Sequence, residues 1–287
     1  MMWKDTYCLG VAQIDNQHKE LFQLVENLIE TMDADPCPRV QLSSAVDFLK
    51  KYVHNHFRDE ETYQEFIHYP HIEEHKKQHR LFGKTVIEYE KKFQETCYDV
   101  NVIKSFTGVL IAWLIYHVMN EDLKIAKGEL AQSDDHLSIQ TKSVLDCFAT
   151  SVSHVFETMF EIKTNHLSQS QPPIFQDDAI HAKIEFVGEF AGEIIYSFPK
   201  KFASHVMLAM TGMQLHEMDH ILHSAMAEIS NIISGNAATE LVQQGQECDI
   251  RPPVMSIGSI PFNNALLDRH TLGITTDFGD LFITVTR

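Results

Sequence analysis

Two hydrophobic periods share this chain, and no single layer of structure can satisfy both. Up to about residue 127 apolar side chains recur at three- and four-residue spacing, whereas after SQSQPP (168–173) they fall into β-rich runs. Two domains of different class are therefore expected, and 287 residues are enough for each to bury its own core. Breaks near DADPCP (33–38), HYP (68–70) and Asp99 divide the first part into helices near 16–32, 39–66, 71–96 and 100–126. Short connections make neighbouring helices antiparallel, which predicts an all-α, up-down four-helix bundle over 1–128. GELAQSDDHLS (128–138) is polar and aperiodic, so 129–137 reads as a linker. Beyond it come an amphipathic helix near 138–164, the runs AKIEFVGEF and AGEIIYSFP, helices near 200–211 and 217–244, and LGITTDFGDLFITVTR, which reads as a hairpin. Residues 138–287 thus form an α/β or α+β domain.

Charge excludes some partners. The net charge of −17 divides into −6 over residues 1–130 and −11 over 131–287, so neither half presents the basic field that nucleic acid or an anionic membrane requires. There is no run of about 18 apolar residues. The opening MMWKDTYCLG lacks the basic and apolar regions of a secretory signal, and a cytoplasmic chain is expected. Five scattered cysteines (Cys8, Cys37, Cys97, Cys147, Cys248), with no C-x-x-C pair, are expected to be reduced, buried thiols.

Residues 56–79, HFRDEETYQEFIHYPHIEEHKKQH, hold five histidines and six carboxylates. For an isolated His/Glu pair one turn apart the ordinary explanation is a solvated helix face. Here His56 and Glu60 share one face, a pair from the run His71, His75 and His79 shares a face of the next helix, and His18 lies on the first. His117 and Asp122 on the fourth are five apart, about 140° round an α-helix, so their convergence needs long reach or a bent helix end. Leu21, Phe22, Phe57, Phe66, Trp113 and Leu114 surround these residues in sequence, which puts part of the histidine-bearing faces in the core, where imidazole and carboxylate are costly without a cation. Imidazole with carboxylate suits iron, and facing helices are where di-metal carboxylate sites are built.

IDNQH (14–18), HFRDEE (56–61), HYPHIEEHKKQH (68–79) and WLIYHVMNED (113–122) together resemble the ligand motifs of the bacterial hemerythrins, in order and spacing, over residues 1 to about 128. The resemblance implies two non-haem iron ions that bind dioxygen reversibly, with His75, His79 and His117 on one iron, His18 and His56 on the other, and Glu60 and Asp122 bridging. It selects His75 and His79 from the histidine run and leaves His54, His68 and His71 as surface or supporting residues. Glu61 is expected on another face, in solvent. Leu21, Phe22, Phe57, Trp113 and Leu114 are candidate walls of a dry ligand pocket.

In SAMAEISNIISGNAATEL (224–241), Ser224, Glu228 and Asn231 fall on one helical face. On spacing alone a solvent-facing stripe is the ordinary explanation. With the E-x-x-N pattern, the preceding strands and short helix, and RPPVMSIG after it, the segment resembles the CheX branch of the CheX/CheC/FliY phosphatases over roughly 138–287. That likeness implies hydrolysis of the aspartyl phosphate of a phosphorylated receiver, with Asn231 orienting the attacking water and Glu228 pairing with the receiver's lysine. It also implies a homodimer through the C-terminal domain, for which the terminal LFITVTR is one candidate strand. The expected function is an oxygen sensor whose bundle regulates the phosphatase. Two alternatives are an oxygen carrier with a silent dimerising or localising module, and a di-iron redox enzyme.

Overall fold

A computed structural model describes residues 2–32, 39–127, 143–167, 179–213, 220–258 and 269–286. They belong to two compact units, Met1–Asp135 and His136–Arg287. The expected linker at 129–137 lies outside the described residues.

The first unit is built on four long helices: α1 (Ala12–Met32), α2 (Arg39–Phe66), α3 (Ile72–Glu95) and α4 (Val100–His117). On α1 the buried positions Ile14, His18, Leu21, Val25, Leu28, Ile29 and Met32 follow the helical repeat, so His18 occupies a place in the core stripe. On α2 the same stripe runs Val46, Leu49, Val53, His56, Glu60 and Gln64, changing from apolar to polar along the helix. Asp99 caps α4 by accepting from the Asn101 amide at 2.9 Å. After α4 the chain takes one π-helical segment, Val118–Asp122, before the short α5 (Leu123–Lys127). The continuous stretch Val100–Ile125 is long and apolar enough to cross a membrane, its most apolar 18-residue window having a mean hydropathy of 1.6, but 72% of that window is buried inside the fold. That burial is the property of a core helix. In the first turn of α1, Asp15 accepts from the amides of Leu9 and Gly10 at 2.7 and 3.0 Å, fastening the N-terminal segment.

The second unit begins with α6 (Val144–Phe160), started by a reciprocal capping box between Ser143 and Asp146 and ended by Glu161 in the left-handed region at φ 58. The helix expected to reach residue 164 therefore stops earlier. A seven-stranded, antiparallel sheet follows: β1 (Asn165–Leu167), β2 (Ala179–Gly188), β3 (Gly192–Pro199), β4 (Cys248–Ile250), β5 (Val254–Ile257), β6 (Arg269–Thr276) and β7 (Gly279–Thr286). The strand order is β1-β6-β7-β3-β2-β4, and β5 also pairs with β2. With α7 (Lys200–Thr211) and α8 (His220–Gln243), this is the α+β form of the expected fold. Pro199 precedes α7, and Gly212 at φ 69 ends it. Buried His181 ties the sheet together, its ring nitrogens lying 2.8 Å from Ser197 Oγ and 2.7 Å from the Gly258 carbonyl.

Two further details bear on the sequence reading. The terminal strand β7 is flanked by β6 and β3, so residues 281–286 of the run LFITVTR are covered within the sheet. Of the four described cysteines only Cys147 is buried, whereas Cys8 and Cys97 are exposed; a thiol's sequence neighbours do not fix which side of the helix or turn it occupies.

Candidate functional site

The bundle brings all seven predicted metal-site residues together. His18, His56, Glu60, His75, His79, His117 and Asp122 are each 3% exposed or less, a costly burial unless something satisfies them. His75 Nε2 lies 3.2 Å from His79 Nε2, which lies 3.0 Å from His117 Nε2. Glu60, His75, His79 and His117 form one candidate metal cluster. His18 and His56 form a second pair, with Nε2 atoms 3.1 Å apart. Nitrogens about 2.1 Å from one ion and at right angles to each other stand about 3.0 Å apart, so these separations match imidazoles that share an ion.

The carboxylates lie between the two groups. Asp122 Oδ1 is 3.1 Å from His117 and 3.5 Å from His75, while Oδ2 is 3.3 Å from His18. Glu60 places Oε1 3.4 Å from His75, and Oε2 3.4 Å from His79 and 3.7 Å from His56. Among the described residues, both oxygens of Asp122 and Glu60 Oε2 are buried without a properly oriented hydrogen bond despite these short separations. With the imidazoles neutral, as ligation of a metal requires, the five histidines and two carboxylates would carry a buried charge of −2, so the donor set fits cations.

Asp122 converges through the π-helical segment. Its i→i+5 bonding brings residues five apart into register where an α-helix separates them, which removes the geometric objection raised by the sequence. Ring stacking fixes the imidazole planes: Phe57 lies on His79 at 3.9 Å and 8°, and Trp113 on His117 at 4.3 Å and 15°. Those two predicted walls therefore touch candidate ligands. Leu21 and Leu114 are buried, and Phe22 stacks on Tyr7 at 5.3 Å. His54, His68 and His71 are exposed.

Glu61 departs from expectation. Rather than standing free in solvent, it reaches across to α3, where its Oε1 accepts from His79 Nδ1 at 2.9 Å. The sequence reading also passed over Gln17, whose Oε1 is 3.3 Å from His56 Nδ1, and fully buried Gln64, whose Nε2 points to Glu60 Oε1 at 3.4 Å. Gln64 stands one helical turn from Glu60, a spacing that could have revealed it. The contact of Glu61 depends on how two helices are rotated against each other and carries no such signal.

As protein groups alone, these side chains titrate far from their ordinary ranges. Burial, helped by His18, pushes His56 down to about 3. Burial also opposes charge on His79, but the close carboxylates of Glu60 and Glu61 outweigh it and raise that imidazole to about 9. Burial and Glu60 push Asp122 upward, and the neighbouring His117 and His18 bring it down to about 2.

In the second unit, Glu228 and Asn231 lie on α8, half-buried, with their side chains hydrogen-bonded to each other. Ser224 is on the same half-buried stripe, while Ala225, Ile229, Ile233 and Ala237 are buried behind it. Burial pushes the Glu228 carboxyl up to about 8, against the bond to Asn231. Protein surrounds the carboxyl group even though the residue as a whole retains some exposure. Pro252 and Pro253 lie between β4 and β5.

Residues 9–127 match the Hemerythrin HHE cation binding domain, and residues 180–261 match the chemotaxis phosphatase CheX family. A bacteriohemerythrin of Pseudomonas aeruginosa (strain LESB58) is 31% identical over 122 residues, 42% of this chain and 76% of that protein. One from Clostridium acetobutylicum is 29% identical over 126 residues, 42% of this chain and 95% of that protein. Among solved structures, a CheX from Desulfovibrio desulfuricans has 21% identity and a TM-score of 0.45, covering 50% of this chain and 99% of that one. The chain from a CheX-CheY-BeF3-Mg2+ complex of Borrelia burgdorferi has 18% identity and a TM-score of 0.41, covering 50% and 97%. By its helical unit and its family matches, the chain belongs to the hemerythrin family and carries a CheX domain behind its hemerythrin HHE domain.

Proposed function

We propose that this protein is an oxygen sensor in which a non-haem di-iron bundle, residues 1–128, regulates an aspartyl-phosphate phosphatase, residues 138–287, through the segment 129–137. The observation that carries the reading is the convergence of five imidazole Nε2 atoms on two buried carboxylates. His75, His79 and His117 would hold one iron and His18 and His56 the other, with Glu60 and Asp122 shared between them. The iron pair, when bound, supplies reversible dioxygen uptake. The protein fixes the ligands by stacking Phe57 and Trp113 on their rings and by burying the whole set, which limits the entry of water.

On α8, the carboxamide of Asn231 would hold a water in line with the phosphorus of the receiver's aspartyl phosphate. Attack by that water breaks the bond between phosphorus and the aspartyl oxygen and leaves a free carboxylate and inorganic phosphate. Alignment is the contribution of Asn231, and no covalent enzyme intermediate is needed. Glu228 would receive the receiver's lysine. Its raised pKa of about 8 means that an arriving ammonium drives off a proton, giving a paired carboxylate. The partner is thus a phosphorylated, CheY-like receiver in the cytoplasm.

The test is anaerobic loading of the full chain with ferrous iron. We expect two irons per chain and a visible absorption band that appears with dioxygen and disappears when it is removed. One iron or none, or a band that never reverses, would contradict the reading.

A further inference from the structure

The outer faces of the two imidazole groups are supported unequally. His79 Nδ1–H donates directly to the Glu61 carboxylate at 2.9 Å. His56 Nδ1–H instead meets the neutral amide oxygen of Gln17 at 3.3 Å, and Gln17 donates through Nε2 to Asp59 Oδ2 at 2.9 Å. A carboxylate is therefore one hydrogen bond away on the three-histidine side and two bonds away on the two-histidine side. The Glu61 and Asp59 side chains are each 28% exposed, so their different placement, not their access to water, distinguishes the two sides. No hydrogen bond reaches the Nδ1 atoms of His18 and His75 among the described residues.

A carboxylate behind a metal-binding imidazole fixes its tautomer and makes the opposite nitrogen a stronger donor. The Glu61 bond crosses from α2 to α3, and Phe57 clamps the same ring from its face, so the orientation of His79 is set from two directions. Among the described residues the His56 ring has no stacked partner of that kind: its contact with Phe57 is tilted by 49° at 5.9 Å.

We propose that Glu61 is a positioning residue that makes the His75, His79 and His117 position the tighter of the two, so that it fills first, while Gln17 gives weaker support to the His18 and His56 position. This inference rests on the di-metal reading above.

The experiment is an anaerobic titration of the metal-free full chain with Co2+, then with Fe2+, against a competing chelator, with visible d–d absorption reporting each Co2+ step. Wild type should fill in two resolved steps. Glu61→Ala should weaken the tighter step by about 10- to 100-fold and leave the weaker one within about twofold. Glu61→Gln, which retains an acceptor for the His79 proton, should recover part of that loss. Gln17→Ala should affect only the weaker step. Equal weakening of both steps by Glu61→Ala would identify a general structural defect and overturn the proposal, as would a tighter step within about twofold of wild type in both Glu61 variants. Uptake of fewer than two ions by wild type would instead defeat the di-metal reading, and the ranking with it.

Discussion

The two candidate sites differ in how much of the molecule is needed to build them. In the bundle, seven buried polar side chains arrive from four helices and the π-helical segment after α4, and each is placed where an apolar residue would otherwise complete the core. On α8, Glu228 and Asn231 come from a single helix and remain half-buried. A group of buried donors facing one another must be satisfied from within its own domain, so its chemistry is legible in the geometry. A half-buried pair on one helix face is only partly enclosed by its own domain, and its chemistry is not legible from that domain alone.

The largest expected effect breaks the bundle side of this comparison alone. Glu60→Ala or Asp122→Ala removes a carboxylate shared by both imidazole groups. Iron content should fall from two to below about one per chain, by more than the roughly 100-fold affinity loss typical of a supporting residue. Metal analysis after desalting checks this, and dephosphorylation by the iron-free protein should not change. Next, Asn231→Ala should slow receiver dephosphorylation by about 100-fold, the scale of a lost alignment, while both irons remain. Phosphate release and metal content measured on one preparation separate the two sites.

A smaller effect reads the burial of Glu228. A carboxyl raised to about 8 takes up a proton on folding between its ordinary range and that value, so folded-state stability declines as pH rises through the window. Glu228→Gln removes that decline. Because the residue keeps some exposure, we expect the variant to gain about 2 kcal/mol over wild type on going from pH 5 to pH 8, seen as a higher melting transition of the C-terminal unit. A difference that does not vary with pH would mean that the carboxyl is solvated.

Most of the bundle was legible because long amphipathic helices write their period plainly: α2 runs from Arg39 to Phe66 and α3 from Ile72 to Glu95, close to the expected spans. The convergence of Asp122 with His117 was not, since nothing in VMNED announces i→i+5 bonding. Nor was the role of Glu61, because it depends on the relative rotation of α2 and α3 rather than on either sequence. The strands Asn165–Leu167, Cys248–Ile250 and Val254–Ile257 are three or four residues long, too short to show alternation. The E-x-x-N face was visible as spacing, and so was the apolar face of α8 that carries Ile229 and Ile233, yet spacing left open whether Glu228 would stand in solvent or, as the fold has it, half-buried.

The claim that joins the two sites is regulation of the second by the first. It is tested most directly by the rate of phosphate loss from a phosphorylated receiver, with the iron-loaded full chain held anaerobic and ferrous or exposed to dioxygen, and with Glu228→Ala as the control. The account predicts a rate that requires Glu228 and changes with oxygen. Equal Glu228-dependent rates in the two states would contradict it, leaving an oxygen-binding bundle tethered to an unregulated phosphatase.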